Sequence, residues 1–230
     1  QIIASGHSPN GHLAMSKGLF ITGTDTDCGK TYVTSLILRA LRNERVDAVG
    51  YKPICCGDRN DALELVDASQ DVVTVDQVNP LWLKTPAAPH VASMFENCPI
   101  DTAALVAGQR ELAKEHQVVI TEGAGGLLVP IAGKDYTIAE LIKDIDSPVI
   151  LVVGNKLGAL NHTLLTVEAL RSRGIEPAGL VFNNLVEELD TATITNKGIV
   201  EDMCGVEVLT DVIHGQREIE AWPFLHLLGS

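Results

Sequence analysis

Residues 23–31, GTDTDCGKT, set two glycines around five residues, Thr24 to Cys28, and follow them directly with lysine and threonine. The apolar run LFIT precedes this stretch and a helical pattern begins at Lys30. Turning backbone amides, the positive end of a helix, an ammonium for β- and γ-phosphate charge and a hydroxyl suited to Mg²⁺ together make an anion cradle. The plain alternative is a glycine-containing strand-to-helix turn with an exposed lysine. The intact Gly29-Lys30-Thr31 between strand and helix favours the phosphate site.

Mg²⁺ takes oxygen ligands and keeps several waters, so one or two carboxylates are expected beside Thr31. Glu122, at the end of the apolar run VVIT, is the first candidate, because a buried strand end is a costly place for an idle charge. Asp61, after CCGDRN, is the second, and it fits a helix N-cap equally well. In GYKPICCG, Lys52 ends a strand and is fixed by Pro53. A second cation near the phosphates points to a second bound anion, the alternative being a solvated surface lysine. Gly123, Gly125 and Gly126 in TEGAGG allow close backbone approach to a ligand or simply a tight turn. GNKLGALNH leads into a helix expected to start near Asn161, whose free amides can receive a carboxylate or be capped by Asn161 itself.

These positions acquire meaning from the elements around them. Short apolar runs at 19–22, 48–52, 118–121, 149–153 and 179–182, with a weaker one at 206–209, alternate with helical patterns at 30–42, 61–68, 102–115, 138–143, 161–173 and 189–203. That rhythm predicts a three-layer α/β fold, a mostly parallel sheet flanked by helices. Ligands of such sheets bind beyond the carboxyl ends of the strands, so residues 23–31, 52–57, 122–126, 154–161 and Asn183 are expected on one rim.

Composition limits the partners. Against 17 Lys+Arg stand 30 Asp+Glu, a net charge of −13, with no basic run, which removes the electrostatic footprint of a nucleic-acid or acidic-membrane binder. No stretch reaches roughly 18 unbroken apolar residues, and a soluble protein is expected. Five cysteines without a CxxC pair suit free thiols in a reducing cytoplasm. Residues 1–14, polar and aperiodic, read as an appended leader or disordered tail, leaving residues 15–230 as a single domain.

With these residues assembled, the chain resembles the dethiobiotin synthetases of the P-loop NTPase superfamily. That family's phosphate loop has the same five-residue gap, in the form GTDTxxGKT, and GYKP, EGAGG, KLG followed by NH, and an Asn after a strand as in VFNN recur in order between residues 17 and 184. The resemblance implies a P-loop NTPase-like ligase domain that uses ATP and Mg²⁺ to carboxylate 7,8-diaminononanoate with CO2 and close the cyclic urea of dethiobiotin. It assigns Lys30 and Lys52 to the transferring phosphoryl group and carbamate, Thr26 to the carbamate, and Thr31, Asp61 and Glu122 to the metal. Asp27, Cys28, Gly29, Tyr32, Gly123, Ala124, Gly125, Asn183 and Asn184 would surround the nucleotide, with Asn183 at the adenine. Cys56 would face the substrate, and Leu157, Gly158 and Asn161 would hold its carboxylate tail from the neighbouring subunit of a homodimer.

The chain departs from that pattern in three places. Cys56 replaces a serine hydroxyl with a weaker thiol donor, the segment between Gly57 and Asp61 is short, and EVLTDVIHG stands where a Gly-x-Ile-Pro-like stretch would frame the base. A competing class shares this sheet: partitioning and division-site ATPases, which carry an additional lysine early in the loop. Residues 24–28 contain none. Another amide-forming or carboxylate-activating ligase of the superfamily is the nearer alternative.

Overall fold

The computed structural model describes residues 17–188 and 190–229, so the leader at residues 1–14 lies outside the described residues. The elements run β1 (Lys17–Gly23), α1 (Lys30–Asn43), β2 (Ala48–Tyr51), β3 (Ile54–Cys56), α2 (Asn60–Ala68), α3 (Val75–Val78), β4 (Leu81–Leu83), α4 (Pro89–Phe95) and α5 (Thr102–Glu115). They continue β5 (Val118–Glu122), β6 (Pro130–Ala132), β7 (Tyr136–Thr137), α6 (Ile138–Ile145), β8 (Val149–Asn155), α7 (Ala159–Arg171), β9 (Pro177–Asn184), α8 (Thr191–Cys204), β10 (Val208–Val212) and α9 (Trp222–Gly229).

Six strands form one sheet in the order β10-β9-β8-β1-β5-β2, and every pairing in it is parallel. The apolar runs are unbroken because both faces are covered. Side chains alternate along each strand. Leu19 and Ile21 of β1 therefore pack with residues of α1, α2 and α9, while Phe20 packs with α5 and α6. Leu151 and Val153 of β8 join α7 and α8 in a further cluster.

The expected architecture is present, with corrections at element ends. The strand expected through Lys52 stops at Tyr51, because the Lys52 amide leaves the sheet and donates to the Val78 carbonyl at 2.8 Å. The weak run at 206–209 is displaced to β10, whose far end reaches the ligand rim. The last long helix opens at Thr191, capped by the Asp190 carboxylate, rather than at 189, which lies outside the described residues. Two small sheets were not expected: β3 beside β4 in parallel, and β6 beside β7 antiparallel. Each is at most three residues long, too short to show a period against its neighbours.

Candidate active site

The loop from Gly23 to Gly29 joins the carboxyl end of β1, a central strand, to α1. Gly29 takes a left-handed conformation, φ 86°, at the N-cap, which a residue with a Cβ adopts only under strain. Lys30 is buried and its ammonium donates to the Asp25 and Thr26 carbonyls at 3.0 and 3.1 Å, so the side chain lies along the loop it is expected to serve. Thr26 and Asp27 are exposed and Cys28 is buried beneath them.

At the end of the neighbouring β5, Glu122 has no exposed surface. Its Oε1 accepts a hydrogen bond from the Thr31 hydroxyl at 2.8 Å and another from the Lys52 ammonium, while its Oε2 is buried with no partner among the described residues. Lys52 also donates to Asp61 Oδ2 at 2.8 Å and weakly to the Gly123 carbonyl at 3.4 Å. Phosphate-loop hydroxyl, buried carboxylate, lysine and second carboxylate thus form one chain of contacts. The N-cap alternative for Asp61 is removed: α2 begins at Asn60 with Arg59 at the cap position, and the Asp61 side chain turns to Lys52 instead.

Burial alone would lower the Lys52 pKa, but the Glu122 and Asp61 carboxylates outweigh it and hold the ammonium above the usual lysine range. Burial opposes ionisation of Asp61 too, and the contact with Lys52, helped by Thr31, still holds its carboxyl below the usual range. Lys52 is therefore a fixed cation across the neutral range, suited to neutralising an anion and not to exchanging a proton.

In front of Lys52 lies a cleft of about 460 Å³, a size that suits a small-molecule ligand. Thr26, Cys56, Asp58, Asp61, Ala124 and Gly125 contribute to its wall. Burial pushes the Cys56 thiol up to about 11, so it stays protonated and uncharged at neutral pH. Gly125, φ 70°, brings backbone against Val129, and a Cβ there would meet the valine at 2.8 Å and the Thr26 hydroxyl at 3.6 Å. The glycine turn therefore makes a tight bend and forms part of the cleft wall at once.

Two supporting residues had escaped the sequence reading. Asn79 donates to the Lys52 carbonyl at 2.8 Å and to the Leu81 carbonyl at 2.9 Å, fixing the chain where it leaves β2. Asp58 was visible in CCGDRN but suggested no role until β3 and β4 set the walls of the cleft.

Residues 17–215 match the model of a family described as an AAA domain. The ATP-dependent dethiobiotin synthetase of Akkermansia muciniphila is 43% identical over 200 residues, covering 87% of this chain and 93% of that protein. The chain belongs to the ATP-dependent dethiobiotin synthetase family. The Bacillus subtilis (strain 168) member is 34% identical, covering 84% of this chain and 85% of its own length. Among solved structures, a ParA family ATPase from Chlorobium tepidum TLS superposes with a TM-score of 0.56 at 12% identity, covering 87% of this chain and 85% of that one. MinD from Aquifex aeolicus gives 0.51 at 15%, covering 86% and 82%. At such identities the likeness is one of fold alone. The family match extends beyond Asn184, where the motifs end, through β10.

Relative to the family's expected nucleotide side, Asn183 is buried and donates to the Cys28 carbonyl at 3.0 Å, resting against Gly29. The Asn184 amide donates to Asp211 Oδ1 and the Val212 carbonyl at 2.8 and 3.0 Å, and its oxygen accepts from Asn155 at 2.7 Å. Its polar groups are thus committed to joining β8, β9 and β10. The Tyr32 hydroxyl donates to the Gln216 carbonyl, tying the segment after β10 to α1. Leu157, Gly158 and Asn161 are exposed and contribute nothing to the wall of the Lys52 cleft. The helix there begins at Ala159 with Gly158, φ 93°, at the cap, so Asn161 lies within the first turn and is not the cap residue.

Proposed function

We propose that this chain is an ATP- and Mg²⁺-dependent ligase that carboxylates 7,8-diaminononanoate and closes the cyclic urea of dethiobiotin, the biotin-pathway reaction its family implies. One observation carries the reading beyond the family name: Lys52, a buried permanent cation outside the phosphate loop, faces the cleft shared by Thr26 and Cys56. CO2 adds to one amine of the substrate, giving a carbamate and a proton. A carbamate oxygen then attacks the γ-phosphorus of ATP and ADP leaves. The second amine, as the neutral base, attacks the carbonyl carbon of this mixed anhydride, phosphate departs, the attacking nitrogen loses a proton and the ring closes.

Such a sequence demands positioning and charge neutralisation more than covalent help from the protein. Lys30 grips the β- and γ-phosphates, Lys52 neutralises the carbamate and transferring oxygens, and the Thr26 hydroxyl and Cys56 thiol donate to the substrate. The Gly123, Ala124 and Gly125 backbone lines the path of approach. Gly29 and Cys28 shape the loop, Asp27 is part of it, and Asn183 keeps its carbonyl oxygen for the adenine edge. Tyr32 and Asn184 act by fixing the β10 tail beside the base.

Thr31, Asp61 and Glu122 offer a hard oxygen set, and the buried Glu122 Oε2 is an acceptor that has no donor among the described residues. The set fits Mg²⁺, which when bound supplies positive charge to the phosphate oxygens. Glu122→Gln is accordingly expected to keep the fold, lower turnover roughly 10–100-fold and shift the Mg²⁺ dependence to higher concentration. ADP formation across a Mg²⁺ titration measures this, and an unchanged titration curve would make the carboxylate structural.

The exposed Leu157, Gly158 and Asn161 suit service to a second copy, so we take the working unit as a homodimer with the tail of the substrate held across the interface. Lys52→Ala and Asn161→Ala chains, each weak alone, are expected to regain part of the activity when mixed. Failure of mixing to restore any, or a monomer by light scattering at assay concentration, refutes the shared site. The remaining assignments are a single domain over residues 15–230 and a cytoplasmic location, supported by five free cysteines. Among the described residues no helix is long and apolar enough to cross a membrane.

The deciding assay is ADP release. It should require both diaminononanoate and bicarbonate. Release without an acceptor would instead support a switch ATPase, and release with a different carboxylate would support another ligase of the superfamily.

A further inference from the structure

The charged side chains on the wall of the cleft are Lys52, Asp58 and Asp61. Lys52 is paired with Asp61 at 2.8 Å and with the buried Glu122 behind it. Asp58 has no ion pair among the described residues; its Oδ1 accepts only the Asn60 amide, at 3.0 Å, and the side chain is exposed toward the cleft.

Its neighbours are held firmly on both sides. Gly57 is left-handed, φ 89°, its amide donates to the Leu83 carbonyl at 2.9 Å, and its carbonyl accepts from the Trp82 indole at 2.8 Å. The Arg59 guanidinium bonds Asn79 Oδ1 and the Asn79 carbonyl at 3.0 and 2.8 Å, pairs with Asp76 at 3.0 Å and lies 5.4 Å from the Trp82 ring centre. The short segment between β3 and α2 is therefore held on both sides and presents to the cleft a carboxylate, Asp58, that has no ion pair among the described residues.

A vicinal diamine is cationic at neutral pH, since aliphatic amines titrate near 10. Carboxylation removes the charge of one nitrogen and leaves the other as an ammonium that must wait beside the carbamate. We propose that Asp58 anchors this second, uncarboxylated amine and so selects diamine over chain acids without one. The inference rests on the reaction assigned above. Asp58 holds the nitrogen in reach of the carbonyl carbon and makes no covalent bond; the ammonium gives up one proton to solvent before its lone pair attacks.

Asp58→Asn isolates the charge, because an asparagine oxygen can still accept from the Asn60 amide. It is expected to raise KM for diaminononanoate roughly 10–100-fold, the scale of losing a charge-assisted contact. KM for ATP and the melting temperature should stay unchanged. Nonanoate, which keeps the carboxylate tail but has no amine, is the control: its inhibition constant should be the same in both enzymes. An unchanged KM for the diamine in an active enzyme overturns the anchor alone. Equal weakening of diamine and nonanoate also overturns it, by showing a structural role. Absence of wild-type turnover with diaminononanoate and bicarbonate overturns both this inference and the reaction on which it rests.

Discussion

Lys52→Met is expected to lower turnover by ~10² or more and to lower the melting temperature at the same time, a double effect that Lys30→Ala should not share. The difference follows from what each ammonium touches. Lys30 donates to two backbone carbonyls, so its removal strands no charge. Lys52 is the cationic partner of Glu122, a carboxylate with no exposed surface, and of Asp61, whose side chain is about half exposed. Breaking a buried pair from one side costs about 3–5 kcal/mol because the remaining charge is uncompensated. For a chain of this length that corresponds to about 10 °C.

The compensating variant separates stability from chemistry. Lys52→Met combined with Glu122→Gln removes both charges and should recover most of the lost melting temperature while recovering none of the turnover. Nucleotide binding divides the lysines in the opposite sense. By calorimetry with a nonhydrolysable ATP analogue, Lys30→Ala should bind much more weakly, whereas Lys52→Met, measured below its melting range, should bind within a few-fold of the wild type. Equal loss of nucleotide affinity in the two would reject the division of roles. A Lys52→Met protein as stable as the wild type would show that Glu122 does not depend on this pair.

The sequence exposed the parts of this site that repeat local chemistry. Runs such as VILVV are unbroken because β8 is covered on both faces, and a glycine-bounded loop between a strand and a helix that opens on Lys-Thr has the groups to receive an anion, so the six-strand sheet and the phosphate loop were legible. Glu122 could be placed because burial of a charge demands a reason. What escaped depends on distant pairing. β3 and β4 are three residues each and exist only through one another, and Asn79 matters because it holds the Lys52 carbonyl from 27 positions away. The start of α7 was misplaced by two residues because a left-handed glycine, Gly158, occupies the cap where a polar side chain was expected. Nothing local distinguishes Asp58 from Asp61 either. Only the fold shows that one faces a lysine and the other faces open cleft.

The second large effect is expected at Gly29, where Gly29→Ala should weaken binding of the ATP analogue ~10²-fold, the scale at which misplacement by about an ångström matters in a preorganised site. Two terms act together. A left-handed φ of 86° costs about 1–2 kcal/mol once a Cβ is present, and that Cβ would lie 2.1 Å from Asn183 Nδ2. Asn183 cannot withdraw freely, since its amide is fastened to the Cys28 carbonyl within the same loop at 3.0 Å. The collision therefore moves the backbone whose amides must meet the phosphates. Because Asn183→Ala by itself also removes the adenine contact assigned to that side chain, the collision is isolated by background: adding Gly29→Ala to an Asn183→Ala chain relieves the collision but not the dihedral strain, and should weaken binding by a smaller factor than adding it to the wild type. If Gly29→Ala costs the same factor in the Asn183→Ala background as in the wild type, the dihedral is the whole cause and Asn183 does not brace the loop. If Gly29→Ala alone binds within threefold of the wild type, the loop tolerates a side chain there and the close contact has no bearing on phosphate binding.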